Sequence, residues 1–461
     1  MTISETKAAV IASSARAVVE EAIKKAKADP AHALLEVVEE RALRRADEID
    51  ARLKRGESVG PLAGVPFVAK DNMLTFGSKT TAASEILGNF EAPFQAECIE
   101  RIEAAGAICI GKANLDAFAH GASTENSAYG PTTNPHDASR VAGGSSGGSA
   151  ASVALDIVPF ALGSDTGGSI RQPASYCGVV GFKPSYGAVS RYGVVAMASS
   201  TDVIGPLTQS AGDAQLIMQA IAGVDEKDST TTAVSYEGTS SVGKKVGVIK
   251  EWLGEGVDEE VRQVVRHQIE KLTVKGYEVE EVSLPSLDYS LAVYYIIVPA
   301  EVASNLARYD GIRYGVRPEG TKSLSDVYEQ SRSSGYMPEN KRRIMIGNYV
   351  LSSGYYDAYF QKAAKVRTLI VRDFAKAFET YDFLIGPVAP SPAFKLGENT
   401  ADPLAMYLAD QMTVSASLAG IPAISIPTHN EGLPIGLQLI GPQKSDASLL
   451  EFAKIVEELN V

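Results

Sequence analysis

The chain has 461 residues, of which 45% are hydrophobic and 21% charged, a balance that excludes wholesale disorder and fibrous architectures. Its 43 basic residues against 56 acidic ones leave a net charge of −13, the wrong sign for a protein that grips a nucleic-acid backbone with its own bulk charge. Cys98, Cys109 and Cys177 form no Cys-x-x-Cys pair and no metal-ligand spacing, so neither a disulfide framework nor a zinc site is indicated, and a reducing compartment is expected.

Residues 1–60 carry 22 charges and only two glycines, Gly56 and Gly60, a composition that predicts helices. Val10, Val18, Val19, Ala22 and Ile23, then Leu34, Leu35, Val38, Leu43 and Ile49, fall near helical spacing, with Asp29-Pro30 as the break between them. Residues 1–57 are read as a helical layer packed on a larger body, 58–461. The most apolar early stretch, residues 8–19, is interrupted by Arg16 and flanked by Glu5 and Glu20, and no later run approaches 18 uncharged apolar residues. A soluble cytoplasmic protein without membrane contact is the expectation.

From residue 61 onward, β-branched runs at 65–69, 107–110, 157–162, 245–249, 278–282, 383–385, 423–426 and 435–440 alternate with helical patterns. The helical patterns cover 96–105, the residues after Gly148, 258–275, 365–378 and 447–459. This order predicts an α/β fold in which a mixed, largely parallel central sheet is covered by helices on both faces.

Residues 121–193 hold 13 of the 41 glycines, yet these are interleaved with Val153, Ile157, Phe160, Leu162, Val179 and Phe182, too many apolar residues for a solvated linker. Two clusters stand out there, AGGSSGGSAAS at 142–152 and GSDTGGSIRQPAS at 163–175. Neither holds the lysine of a P-loop. Residues 143–147 formally fit G-x-S-x-G, but residues 134–137 before them read as a turn and not as the strand that a nucleophile elbow needs. The five histidines, His32, His120, His136, His267 and His429, all read as surface or structural residues, which leaves a serine triad without its base. A buried lysine kept neutral can replace it. Lys70 ends the strand-like run at 65–69, and lowering its amine from about 10.4 to about 7–8 costs on the order of 4 kcal/mol, within the reach of burial.

VAKDN around Lys70, GGSSGGSAA around Ser145 and GSDTGGSIRQPAS around Ser169 together resemble the amidase signature family, over about residues 58–457. The resemblance implies a Ser-Ser-Lys triad of Lys70, Ser145 and Ser169, with Ser145 at a cis peptide bond. Ser169 would attack a carboxamide carbon, Ser145 would relay the proton to Lys70, and the N–H groups of Thr166, Gly167, Gly168 and Ser169 would receive the oxyanion.

The flanking stretches 123–135, 304–315, 341–359 and 408–427 are similar to one branch of that family, the A subunits of glutamyl-tRNA(Gln) amidotransferases. That likeness implies hydrolysis of free glutamine, with Arg343 binding its α-carboxylate, Asp410 its α-ammonium, and Tyr294 lining the side of the pocket, Tyr295 being the alternative. It also implies B and C partner subunits, the B subunit handling tRNA and ATP (with Mg), and no cofactor or metal on this chain. A stand-alone amidase acting on a small aliphatic or aryl amide, which needs no Arg343/Asp410 pair, is the alternative. A non-catalytic scaffold is a third reading, one that would tolerate loss of Lys70 or Ser169.

Overall fold

The computed structural model describes residues 1–238, 242–428 and 431–460. Its strands in chain order are β1 (Leu34–Val37), β2 (Pro66–Lys70), β3 (Ile108–Ala113), β4 (Thr133–Asn134), β5 (Asp137–Val141), β6 (Phe160–Asp165), β7 (Val180–Lys183), β8 (Val203–Thr208), β9 (Lys245–Ile249), β10 (Glu278–Val282), β11 (Phe383–Pro387), β12 (Ala423–Pro427) and β13 (Gly436–Ile440). β4 and β5 pair with each other; the rest form one sheet in the order β1-β3-β2-β6-β8-β7-β12-β13-β11-β9-β10. The expected mixed sheet is present. Its parallel pairing is concentrated in two blocks, β3-β2-β6 and β11-β9-β10, and the strands between them run antiparallel to their neighbours.

Alternate residues of β2 explain why helices cover both faces. Phe67 and Ala69 point into a core shared with Ile99 and Ile102, Ile217, and Leu449 and Phe452, from the helices Glu97–Ala104, Ala211–Ile221 and Asp446–Glu458. Val68 points the other way, toward Val19 and Ile23, Ile49 and Val153, from the helices Ala15–Lys27, Glu39–Lys54 and Gly147–Ala154. On the first face Phe67 and Phe160 stack at 5.2 Å, and burying each ring contributes about 1.5–3 kcal/mol. The long apolar stretch Pro285–Arg308 lies against a third core, burying Val293, Tyr294, Ile297, Val298 and Val302.

Two parts of the main sheet differ from the sequence reading. Leu34–Val37 is a strand and not a helix: it pairs antiparallel with β3, and the Val38 N–H continues the pairing onto the Ile110 carbonyl at 2.9 Å. Four residues after a helix-ending proline are too few for a helix, whereas the open edge of β3 offers unpaired backbone groups to any extended segment. The reading also missed β7 and β8, whose Gly181, Gly205 and Pro206 interrupt the pattern of a strand. Here glycine marks a close approach, because a Cβ on Gly205 would lie 2.1 Å from the Phe182 carbonyl oxygen.

Candidate active site

The parallel block β3-β2-β6 brings the C-terminal ends of its strands to one edge, and Lys70 and Asp165 are the last residues of β2 and β6. Lys70 is fully buried. Its Nζ donates to Ser146 Oγ at 2.8 Å and Ser164 Oγ at 3.0 Å and lies 2.8 Å from Ser145 Oγ, whose hydroxyl can donate to the lone pair of the neutral amine, and Asn72 Nδ2 also donates to Ser164 Oγ at 3.0 Å. Burial pushes the amine down to about 7, against the pull of Asp116, Asp165 and Asp202. A neutral amine surrounded by hydroxyls is the form in which lysine can take a proton.

Ser145 and Ser146 precede the helix Gly147–Ala154, and the Gly144–Ser145 peptide bond is cis. The Gly144 N–H donates to Gln172 Oε1 at 2.8 Å, and a Cβ on Gly144 would lie 2.1 Å from Asp116 Oδ2, so only glycine fits there. Asp116 accepts N–H groups of Ser123, Thr124 and Asn126 at 3.3, 2.9 and 3.0 Å, and its own N–H donates to the Ser145 carbonyl at 3.3 Å. Burial raises its carboxyl to about 6 in spite of these donors. β5 leads into the Ser145 segment, so the turn read at 134–137 is the tip of a hairpin. The strand a nucleophile elbow requires is therefore present, but Ser145 is bonded to a lysine and not to a histidine.

The second serine loop lies beside the first, with the Ser146 N–H donating to the Ser169 carbonyl at 3.1 Å. Ser169 retains 8% exposure where Lys70 and Ser145 have none, which makes it the member of the three that a substrate can reach. The Gly168 N–H donates to Asp165 Oδ1 at 2.8 Å and is thereby removed from the expected oxyanion donors. Thr166, Gly167 and Ser169 have no intrachain acceptor for their N–H groups among the described residues. Gly168 serves through its shape: its φ is +135°, and a Cβ would lie 2.2 Å from Thr413 Oγ1, which itself donates to the Gly167 carbonyl at 2.6 Å.

A cavity of about 230 Å³ adjoins this assembly, with Asp116, His120, Tyr295, Glu339, Arg343 and Tyr407 in its wall. Arg343, on the helix Pro338–Leu351, is buried; its Nε donates to Glu339 Oε1 at 2.9 Å, and its Nη1 has no partner among the described residues. This helix packs tightly on the helix Ser290–Asn305, because a Cβ on Gly347 would lie 2.0 Å from the Pro299 carbonyl oxygen. The guanidinium lies 5.1 Å from the Tyr295 ring centre and 5.8 Å from that of Tyr407, two rings stacked at 3.8 Å. The Tyr295 hydroxyl donates to Asp410 Oδ2 at 3.1 Å, and the Tyr407 hydroxyl donates to Glu339 Oε1 at 2.9 Å. Burial raises the Asp410 carboxyl to about 7, against the Arg343 charge and the Tyr295 hydroxyl.

The structure thus brings Lys70, Ser145 and the Ser169 loop together, and places Arg343 over the Tyr295 ring and Asp410 at the Tyr295 hydroxyl. Tyr295 lines the cavity, and Tyr294 lies between Gly167, where a Cβ would lie 2.5 Å from its Cζ, and the Arg343 guanidinium. His120, read as surface or structural, is fully buried in the cavity wall. His32 and His136 contact the carbonyls of Pro131 and Cys177 at 3.1 and 3.0 Å, His267 is exposed, and His429 lies outside the described residues. Sequence reasoning did not single out Ser164 or Asn72 as partners of Lys70, although both stand in the quoted clusters. Glu339 carried one signal, its i,i+4 spacing from Arg343 on a helix.

Residues 17–450 match the Amidase family. The chain is 53% identical over 433 residues to the A subunit of the glutamyl-tRNA(Gln) amidotransferase of Geobacillus thermodenitrificans, covering 92% of this chain and 89% of that one. The crystal structure of the corresponding A subunit from Thermotoga maritima matches it with a TM-score of 0.81 at 40% identity, over 99% of this chain and 94% of that one. An amidase crystal structure 31% identical to it gives a TM-score of 0.84 over the full length of both chains. By matched length, identity and fold, the chain belongs to the amidase signature family.

Proposed function

We propose that this chain is the glutamine-hydrolysing subunit of a glutamyl-tRNA(Gln) amidotransferase, and that its catalytic residues are Lys70, Ser145 and Ser169. The observation that carries this reading is the buried pair Arg343 and Asp410, the guanidinium over the Tyr295 ring and the carboxyl at the Tyr295 hydroxyl. A simple amide has no use for such a pair. A free amino acid has one anionic and one cationic group, and each needs a buried counter-charge.

In this mechanism Ser169 Oγ forms a bond to the carboxamide carbon while its proton passes through Ser145 Oγ to the neutral Lys70 amine. The oxyanion develops against the free N–H groups of Thr166, Gly167 and Ser169, a contribution typically worth 10²–10³ in rate for each donor. Collapse of the tetrahedral intermediate breaks the carbon–nitrogen bond, the proton returns from Lys70 to the leaving ammonia, and water then hydrolyses the γ-glutamyl ester. Ammonia is passed to a B subunit, which binds the tRNA and uses ATP with Mg, while a C subunit holds the other two together. The chain's own charge of −13 fits this division, since it offers little to a phosphate backbone.

The test compares ammonia release from glutamine and from butyramide. Arg343→Ala should weaken use of glutamine by about 2–5 kcal/mol, because it leaves the carboxylate buried without a partner, and should weaken butyramide hydrolysis far less. Equal losses on both substrates would favour a stand-alone amidase.

A further inference from the structure

Arg343 Nη1 and His120 Nε2 are both buried, both belong to residues of the 230 Å³ cavity wall, and neither has a partner among the described residues. The hydrogen bonds of Asn340 settle what His120 Nε2 carries. Asn340 Oδ1 accepts the Met337 N–H at 3.2 Å, and Asn340 Nδ2 donates to the Ala117 carbonyl at 2.7 Å, so two backbone groups fix which end of the amide is nitrogen. The second Nδ2 hydrogen then points at His120 Nδ1, 2.6 Å away, which must accept. The ring hydrogen therefore sits on Nε2. Burial and the neighbouring Arg343 charge keep the ring neutral, well below its ordinary titration range.

Two residues of the cavity wall thus each carry a buried donor without a partner among the described residues, one charged and one neutral. We infer that His120 Nε2–H and Arg343 Nη1–H together bind the carboxylate of the substrate, each taking one of its two oxygens. This assigns His120 a role in specificity and rests on the glutamine reading above. A carboxylate suits the pair better than an amide, whose own N–H groups would face donors. Other carboxylates of the wall are largely engaged: Asp116 by three backbone N–H groups, Glu339 by Arg342, Arg343 and Tyr407. Glu125 accepts the Gly397 N–H at 2.7 Å through Oε1 and keeps Oε2 free, which favours a zwitterion over a simple anion.

The experiment measures kcat/KM for glutamine relative to butyramide in wild type, His120→Leu, His120→Gln and Arg343→Ala. His120→Leu removes the donor and should lower the glutamine preference about tenfold, whereas His120→Gln, which keeps an N–H, should recover most of it. A preference within twofold of wild type in His120→Leu, with Arg343→Ala still collapsing it, would overturn the role of His120 and leave the glutamine reading standing. An unchanged preference in Arg343→Ala would overturn both. Should His120→Leu fail to fold, histidine-selective ¹⁵N spectra of the wild-type chain decide the matter. A hydrogen on His120 Nε2 whose resonance moves when glutamine is added supports the inference; a hydrogen on Nδ1, or a resonance that glutamine leaves in place, overturns it.

Discussion

Arg171 and Asp165 face each other with no exposed surface on either side chain, Nε 3.0 Å from Oδ2 and Nη2 3.0 Å from Oδ1. The same carboxylate accepts the N–H groups of Gly168 and Ile170 at 2.8 and 3.2 Å, so the pair braces the loop that carries Ser169. Burial alone would raise the Asp165 carboxyl, but the Arg171 charge and its hydrogen bonds hold it below the ordinary range. Removing one partner leaves the other charged and buried, at a cost of about 3–5 kcal/mol. Arg171→Met is therefore expected to unfold at markedly lower denaturant concentration than wild type. Arg171→Lys should recover part of the loss, since it restores the charge without the two-pronged geometry. Urea titrations of the three proteins check this; equal midpoints would mean that the pair does not brace the loop.

Lys70 is surrounded by three serine hydroxyls and has no exposed surface. Lys70→Ala should abolish hydrolysis of glutamine and of butyramide alike. Lys70→Arg should not rescue either, because a guanidinium stays protonated and cannot serve as base. Substantial turnover by the arginine variant would show that the site needs a charge and not a proton acceptor.

Acid should affect binding and chemistry separately. With its amine held near 7, Lys70 becomes increasingly protonated as pH falls below that value, so butyramide kcat/KM should fall about tenfold per pH unit on the acid side. Asp410 is also held near 7, and its protonation below that pH removes the partner of the substrate ammonium. Glutamine kcat/KM should therefore fall more steeply than that of butyramide over the same range. Paired pH profiles from about 5.5 to about 8.5 test both statements, and flat or parallel profiles would contradict them.

Much of the fold was legible because buried strands such as β2 and β11 are short apolar runs between helical patterns, a periodicity that needs no tertiary information. β7 and β8 were not legible because their glycines and Pro206 answer to the close approach of neighbouring strands, which no local pattern reports. Leu34–Val37 satisfied helical spacing but answered to the open edge of β3. In the site, Lys70 and the two serines stood out through the concentration of glycine and serine around them. The oxyanion donors were named from order along the chain, and the loss of Gly168 from that set follows from Asp165, whose side chain turns back on its own loop. Tyr294 and Tyr295 could not be separated by sequence, since adjacent helix positions point in different directions and only packing says which meets the cavity. His120 was invisible for a related reason: its burial is imposed by segments distant in sequence, among them the helix that carries Asn340 and Arg343.

The most direct measurement uses Ser169→Ala assembled with its B and C subunits, supplied with ATP, Mg and Glu-tRNA(Gln). With glutamine as nitrogen donor, formation of Gln-tRNA(Gln) should vanish; with ammonium chloride it should persist at the wild-type level, because only the release of nitrogen depends on this chain. Retained glutamine-dependent product would contradict Ser169 as the nucleophile, and loss of the ammonium-dependent product would contradict the proposed division of labour between the subunits.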